Sequence, residues 1–264
     1  MSRLPTYFIS HGGGPWPWVP EMRQTMPLLE QSLVDIPKQL PEKPKAILVI
    51  SGHWEAPAFS VMSNAQPPMI YDYYGFPDYT YQIQYQAPGA PAFANRVHQQ
   101  LKDAGINAVM DASQGFDHGT FAPLYIMYPK ADMPIFQLSL KSGYNVEEHL
   151  AVGRALQGLR DEGLLIIGSG LSYHNLRLRG PAARGPSSQF DDWLRETLEL
   201  SGEARSDRLR HWSEAPSARI SHPREDHLVP LMVAVGAAEQ DAVTRVYFDQ
   251  NALGGAVASS YRFG

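Results

Sequence analysis

The chain has 264 residues, a net charge of -5 and no cysteine. A chain of this length buries enough surface to fold without covalent staples, and the lack of cysteine excludes disulfides, thiolate zinc sites, iron–sulfur clusters and a cysteine nucleophile. The acidic balance, with no run rich in lysine or arginine, argues against nucleic acid as a partner. The N-terminus lacks the apolar core of a signal peptide and no apolar run would span a membrane, so we expect a cytoplasmic protein without membrane contact.

Short apolar segments rich in β-branched and aromatic residues predict six strands. In chain order they are Thr6 to Ser10, Ala46 to Ser51, Ile106 to Met110, Pro134 to Leu140, Leu164 to Gly168 and Val243 to Phe248. Segments with helical spacing lie between them, at 20 to 38, Ala92 to Ala104, Val146 to Glu162, Ser188 to Leu200 and His227 to Ala238. This alternation predicts an α/β fold, a single domain over 1–264 in which helices cover both faces of a mostly parallel sheet.

Three of the nine histidines follow predicted strands directly. His11 comes after the first strand, His53 after the second and His174 after the fifth. Because ligands bind at the carboxyl edge of such sheets, these side chains can converge although they are far apart in the sequence. His118 lies just before a helix and His227 opens another, both within short motifs of similar character.

Five histidines in such positions favour a metal site. A single buried histidine is more often a hydrogen-bonded structural residue, and His98, His149 and His211 lie in or beside amphipathic helical segments, where we expect them at the surface. Neutral imidazole is the commonest metal ligand in proteins, and a site without cysteine suits iron, zinc, copper or nickel.

Other motifs in the sequence are incomplete. His11-Gly-Gly-Gly14 looks like the oxyanion loop of esterases, but no nucleophile elbow of the G-x-S-x-G type occurs. Gly168-Ser-Gly170 begins a dinucleotide fingerprint that is not completed. His53 and Glu55 could supply two ligands of a two-histidine, one-carboxylate iron site, an arrangement that usually belongs to a β-barrel.

The histidine motifs, taken in order, carry a family resemblance. They are Ser10-His11-Gly12, Ser51-Gly-His53-Trp54, Gly115-Phe-Asp-His118-Gly119, Tyr173-His174-Asn175-Leu176 and Asp226-His227-Leu-Val-Pro-Leu231. Together they resemble the class III extradiol ring-cleaving dioxygenases, in particular the DOPA 4,5-dioxygenase-like branch. The resemblance spans Phe8 to Gly236, which is nearly the whole chain.

The resemblance implies a ligand set and a reaction. His11, His53 and His227 would bind the metal, His174 would be either a fourth ligand or the general base, and His118 would be a catalytic residue that contacts substrate or oxygen. Ferrous iron is implied for activity, and zinc is expected in the purified protein because it outranks ferrous iron in affinity. The implied reaction inserts both atoms of O2 into a catechol, DOPA-like ring to give a muconic semialdehyde.

Aromatic residues would complete the substrate site. Tyr71, Phe76, Phe116 and Trp54 would offer faces on which a planar catechol stacks, whereas the alternative for this loop is a packed hairpin without ligand contact. The expected partners are therefore a catechol and dioxygen, bound by a monomer or small homo-oligomer. Two other functions stay open: a zinc-dependent hydrolase on the same ligands, and a binding protein in which zinc is structural.

Overall fold

Eight strands form one sheet in the computed structural model of the protein, which describes residues 2–264. The strands are β1 (Thr6–Ser10), β2 (Ala46–Ala56), β3 (Phe59–Met62), β4 (Ala108–Asp111), β5 (Ile135–Lys141), β6 (Leu164–Gly170), β7 (Val243–Ala252) and β8 (Ala256–Phe263). Across the sheet they lie in the order β4-β3-β5-β2-β6-β1-β8-β7.

The centre of the sheet is parallel. Strands β5, β2, β6 and β1 pair in parallel, as do β3 and β4. Antiparallel pairings flank this centre, between β3 and β5 on one side and through β1, β8 and β7 on the other. The prediction of a mostly parallel sheet is confirmed, and the central strands β1 and β6 are buried along their whole length.

Helices connect the strands and cover the sheet. They are α1 (Pro20–Arg23), α2 (Pro27–Asp35), α3 (Pro91–Asp103), α4 (His118–Met127), α5 (Val146–Leu156), α6 (Arg184–Glu199), α7 (Gly202–Arg210), α8 (Ala218–Ser221) and α9 (Pro230–Gly236). Within residues 2–264, none of them combines the length and the apolar character needed to cross a bilayer.

Strand β1 shows that both faces of the sheet are covered. The hydroxyl of Thr6 donates to the carbonyl oxygen of Ala234 in α9 at 2.8 Å, and Phe8 packs in the same apolar cluster as α6 and α9. The hydroxyl of Tyr7 instead contacts Gln39, directly after α2, at 3.3 Å. Since neighbouring side chains of a strand point to opposite faces, the predicted α/β arrangement is confirmed.

Several element boundaries differ from the prediction. The helix expected over 20 to 38 is interrupted, and α2 begins anew at Pro27, a residue suited to the first helical turn. The helix expected from His227 likewise starts at Pro230. Strands β3 and β8 were not predicted, because β3 has only four residues and β8 carries small alanines and serines in place of an apolar run.

The prediction that His149 lies at the surface is wrong. Its side chain is fully buried, and both ring nitrogens contact the backbone, Nδ1 with the carbonyl oxygen of Asn145 at 2.7 Å and Nε2 with the N–H of Lys141 at 3.2 Å. These two backbone groups replace water as hydrogen-bond partners, so the ring can be buried without an unsatisfied polar atom.

Candidate metal centre

The carboxyl ends of β1 and β2 carry the first two histidines of a cluster. His11 follows β1, and its N–H donates to the carbonyl oxygen of Gly170 at 3.2 Å, which extends the pairing with β6 by one residue. His53 lies in the distal part of β2, where the pairing with β5 shifts register between Ile50 and Glu55. This irregularity changes the direction of the end of the strand, as bulges commonly do beside functional sites.

His227 and His174 approach the same edge from the other side. The carbonyl oxygen of His227 accepts from the N–H of Leu171 at 3.0 Å, directly after β6. A Cβ at Gly170 would overlap that carbonyl, so the close approach requires glycine. His174 donates its own N–H to the carbonyl oxygen of Ser221 at 3.0 Å, and its ring stacks on His227 with centroids 3.5 Å apart.

A buried carboxylate holds His118 at the start of α4. Asp117 caps this helix and also accepts hydrogen bonds from the Ser51 hydroxyl and the Gln137 amide, both at 2.7 Å. Burial raises the pKa of Asp117 to about 6. The cap therefore links the beginning of α4 to the two strands that carry Ser51 and Gln137.

The five histidine rings lie together at this edge. The His11 centroid is 5.0 Å from that of His53, 5.3 Å from His118 and 5.2 Å from His227. His53 and His118 are 3.9 Å apart by the same measure. The Nε2 atoms of His53 and His227 are separated by 3.1 Å.

Two carboxylates each face a pair of these rings. The contacts are His118 Nδ1 to Asp72 Oδ1 at 2.9 Å, His53 Nδ1 to Asp72 Oδ2 at 3.2 Å, His227 Nδ1 to Asp226 Oδ1 at 3.1 Å and His174 Nδ1 to Asp226 Oδ1 at 3.7 Å. Carboxylates in such positions orient metal-binding histidines and fix which nitrogen faces the ion.

The surroundings of His11, His53 and His227 favour their neutral forms. Burial, followed by the neighbouring histidines, holds the pKa values of His11 and His53 well below the usual 6.5. Burial also lowers the pKa of His227, to about 4. Neutral imidazole has the free electron pair that a metal requires.

The donor set fits a transition metal. Both ring nitrogens of His11 are buried without a hydrogen-bond partner, although an unpaired buried polar atom costs about 1–3 kcal/mol. Single donor atoms of His11, His53 and His118 lie within 4.8 Å of one another, as do those of His174, Asp226 and His227. The 3.1 Å contact between His53 and His227 joins the two groups. A cation bound among these nitrogens would give one of the two His11 nitrogens a partner, and a site of imidazoles suits iron or zinc.

Aromatic residues of the loop after β3 border the cluster. Tyr73, which the sequence analysis did not single out, has its ring 6.0 Å from that of His118. Phe76 packs edge-on against Tyr73 at 5.4 Å, and a Cβ on Gly14, three residues after His11, would come within 2.9 Å of the Phe76 ring. This part of the loop therefore lies beside His118 and beside the segment that follows His11.

The other predicted substrate residues are packed into the protein. Trp54 is 8% exposed and Phe116 is fully buried. The half-buried Tyr71 donates its hydroxyl to the carbonyl oxygen of Ile83 at 2.6 Å. The Glu55 carboxylate, considered above as an iron ligand, contacts the Tyr144 hydroxyl and the Arg224 guanidinium.

Sequence reasoning did not identify the three carboxylates around the cluster as partners of the histidine rings. Asp117 and Asp226 each directly precede a histidine of the cluster, and this repeated Asp-His pair is a signal that could have identified them. Asp72 has no such signal, because its approach to His53 and His118 depends on the path of an irregular loop.

The chain belongs to the family described as the catalytic LigB subunit of aromatic ring-opening dioxygenase, which matches residues 6–264. It is therefore an enzyme of the extradiol ring-cleaving class, and the predicted family resemblance is confirmed. Enzymes of this family are metal-dependent, in agreement with the histidine-rich site.

Individual relatives match over almost their whole length. The chain is 39% identical to a 4,5-DOPA dioxygenase extradiol of Beta vulgaris, over 98% of this chain and 96% of that protein. It is 34% identical to a protein of the same name from Escherichia coli K12, over 92% and 89% of the two chains. The crystal structure of the uncharacterized protein JW3007 from Escherichia coli K12 superposes with a TM-score of 0.81 and 30% identity, covering 99% of this chain and 100% of that chain.

Proposed function

We propose that the chain, acting as one catalytic domain, opens the ring of a DOPA-like catechol by inserting both atoms of dioxygen, which yields a muconic semialdehyde. The observation that supports this most directly is the buried His11 ring, whose two nitrogens lack partners at the centre of a histidine cluster. The relatives named 4,5-DOPA dioxygenase extradiol support the choice of substrate class.

We assign His11, His53 and His227 as ligands of ferrous iron. The Nε2 atoms of His53 and His227 lie 3.1 Å apart, close enough for both to bind one cation in place of the hydrogen bond that the two rings can otherwise share. Bound there, the ion would hold a catechol and dioxygen together, and their reaction would then be intramolecular. Zinc is expected to compete for the same nitrogens in the purified protein.

We assign proton transfer to the two remaining histidines. His174 accepts a proton from a catechol hydroxyl as general base, since imidazole is suited to this role near neutral pH. Its contact with Asp226, at 3.7 Å, would stabilise the imidazolium that results. His118, held by Asp72 through Nδ1, forms a hydrogen bond with the substrate or with oxygen through Nε2, takes up a proton there and returns it later in the reaction.

We assign the wall of the substrate pocket to aromatic side chains. Phe76 and Tyr71 come from the loop that borders the cluster, and their edges or faces suit a planar ring. Trp54 and Phe116, which are both buried, complete the set of aromatic residues assigned to this pocket. A site of this kind excludes water from the reacting atoms, which strengthens the electrostatic contacts made there.

Metal replacement tests the proposed function. The protein is stripped of metal and reloaded without oxygen, with ferrous iron or with zinc. Oxygen is then admitted together with a panel of catechols that includes DOPA, and oxygen uptake and the yellow semialdehyde are recorded. We expect uptake and ring opening with iron only. If no catechol gives uptake while the zinc form hydrolyses esters or amides, the protein is a hydrolase on the same ligands.

A further inference from the structure

We propose that Asp72 is a positioning residue that determines which ring nitrogen of His53 and of His118 carries the proton. The inference rests on the proposed function for the roles of these two histidines, whereas the contacts that carry it do not depend on that function. Asp72 belongs to the irregular tyrosine-rich loop after β3, and its side chain is 18% exposed.

One carboxylate reaches both rings. Asp72 Oδ1 accepts from the backbone N–H of His118 at 3.0 Å and lies 2.9 Å from Nδ1 of the same residue. Asp72 Oδ2 lies 3.2 Å from Nδ1 of His53. Because an ionised carboxylate can only accept hydrogen bonds, its position favours the proton on Nδ1 in both rings.

The free electron pair of each neutral ring is therefore on Nε2. For His53 this is the atom that lies 3.1 Å from Nε2 of His227, where the metal is proposed to bind. For His118 it is the atom left to contact substrate. The Asp72 side chain thus sets the protonated nitrogen of one metal ligand, His53, and of one substrate-facing group, His118. Carboxylates that support metal-bound histidines act in this way.

The loop holds Asp72 from both sides. The hydroxyl of Tyr71 donates to the carbonyl oxygen of Ile83, and that of Tyr73 donates to the carbonyl oxygen of Thr80, both at 2.6 Å. These bonds fix the backbone before and after Asp72, so the carboxylate is oriented before metal or substrate arrives. The position of the aromatic loop and the protonation pattern of the metal-site histidines are consequently coupled.

The substitution Asp72→Asn separates the two contacts. The amide oxygen must stay with His118, because the backbone N–H of His118 can only donate. The amide nitrogen then faces Nδ1 of His53 and also donates, which forces the His53 proton onto Nε2. We expect His118 to keep its protonation pattern and His53 to lose its metal-directed electron pair.

Metal-free protein with ring-labelled [15N]histidine tests this directly by NMR, with His53 and His118 signals assigned by single substitutions. We expect protonated Nδ1 in both rings of the wild type, and a switch to protonated Nε2 at His53 alone in Asp72→Asn. Zinc affinity, measured by competition with a chelator, should fall about 10–100-fold. In the iron-saturated enzyme, Asp72→Asn should leave KM for catechol nearly unchanged, whereas Asp72→Ala, which releases His118 as well, should raise it.

Asp78→Asn is the matched control, since Asp78 is an exposed carboxylate of the same loop and should affect neither the spectrum nor zinc affinity. Protonated Nε2 in the wild-type rings, or an unchanged His53 in Asp72→Asn, would overturn the proposal. If the variant does not fold, the wild-type spectrum alone decides. Should the switch and the affinity loss occur while no catechol is cleaved, the positioning role stands and the proposed function fails.

Discussion

His174 differs from its stacked neighbour in exposure. Its side chain is 19% exposed, compared with 4% for His227, so it lies nearer the entrance of the cluster. This position suits a group that exchanges protons with substrate and then with water. We therefore assign His174 the role of base.

Replacement of His174 distinguishes these roles. If it is the base, His174→Ala should lower kcat about 10²–10⁴-fold while zinc affinity and thermal stability stay close to the wild type. The measurements are steady-state kinetics of the iron form, chelator competition and a thermal melt. His211→Ala, at an exposed position, is the control. A joint loss of zinc affinity and of stability would make His174 a fourth ligand.

The histidines could be predicted from the sequence, whereas Asp72, which contacts two of them, could not. His11, His53 and His174 follow predicted strands, and parallel strands bring their carboxyl ends to one edge. Asp72 reaches the same place through a loop whose path depends on tyrosine hydroxyl contacts within it, and no periodic pattern encodes such a path.

At the scale of elements, α5 and α9 pack through glycines. A Cβ on Gly153 in α5 would overlap the carbonyl oxygen of Val233 and would lie 2.6 Å from the N atom of Ala237. Gly236 in α9 approaches Leu150 in the same way. These overlaps involve backbone atoms, which cannot move aside without separating the helices.

We therefore expect Gly153→Ala to destabilise the protein. Alanine would gain about 1 kcal/mol of helix propensity, but the overlap costs about 1–3 kcal/mol in a packed core and more when backbone is involved. Urea unfolding should show a net loss of about 2 kcal/mol. Gly158→Ala is the control, because nothing lies within 4 Å of a Cβ at that position. Equal stability of the two variants would contradict tight packing between the helices.

Helices and central strands were predictable because burial on one or both faces leaves a periodic apolar pattern. This apolar pattern is absent where a strand packs through small side chains. Strand β8 is buried through alanines and serines, and its Ser260 hydroxyl accepts from the N–H of Ser10 at 2.9 Å. A strand of this kind has no apolar run in its sequence. It can therefore be identified only from its pairing with a neighbouring strand in the structure.

For the whole molecule, buried neutral histidines make stability depend on pH. Burial lowers the pKa of His149 from 6.5 to about 4. Between these values the unfolded chain binds a proton that the folded chain does not, so the free energy of unfolding falls as the pH falls from 6.5 towards 4. The effect is about 1.4 kcal/mol per pH unit for one proton, or about 3 kcal/mol over this window.

His149→Gln should reduce this pH dependence. Glutamine does not titrate, so the slope of unfolding free energy against pH between about 4.5 and 6.5 should decrease by close to one proton. Urea unfolding of the metal-free protein at several pH values provides the slope, and the site histidines contribute equally to both proteins. His211→Gln, which alters an exposed ring, should reproduce the wild-type slope. An undiminished slope in His149→Gln would show that His149 titrates normally.

The histidines of the cluster come from distant parts of the chain, and the two whose Nε2 atoms are closest, His53 and His227, are 174 residues apart. In an unfolded chain, closing a loop of that size carries a large entropic cost. Few of these nitrogens can therefore bind the same ion at the same time. Metal affinity is then a property of the folded state, and its free energy adds to native stability almost undiminished. Retained metal therefore indicates a correctly folded protein, because only a chain whose sheet is complete can bind the ion.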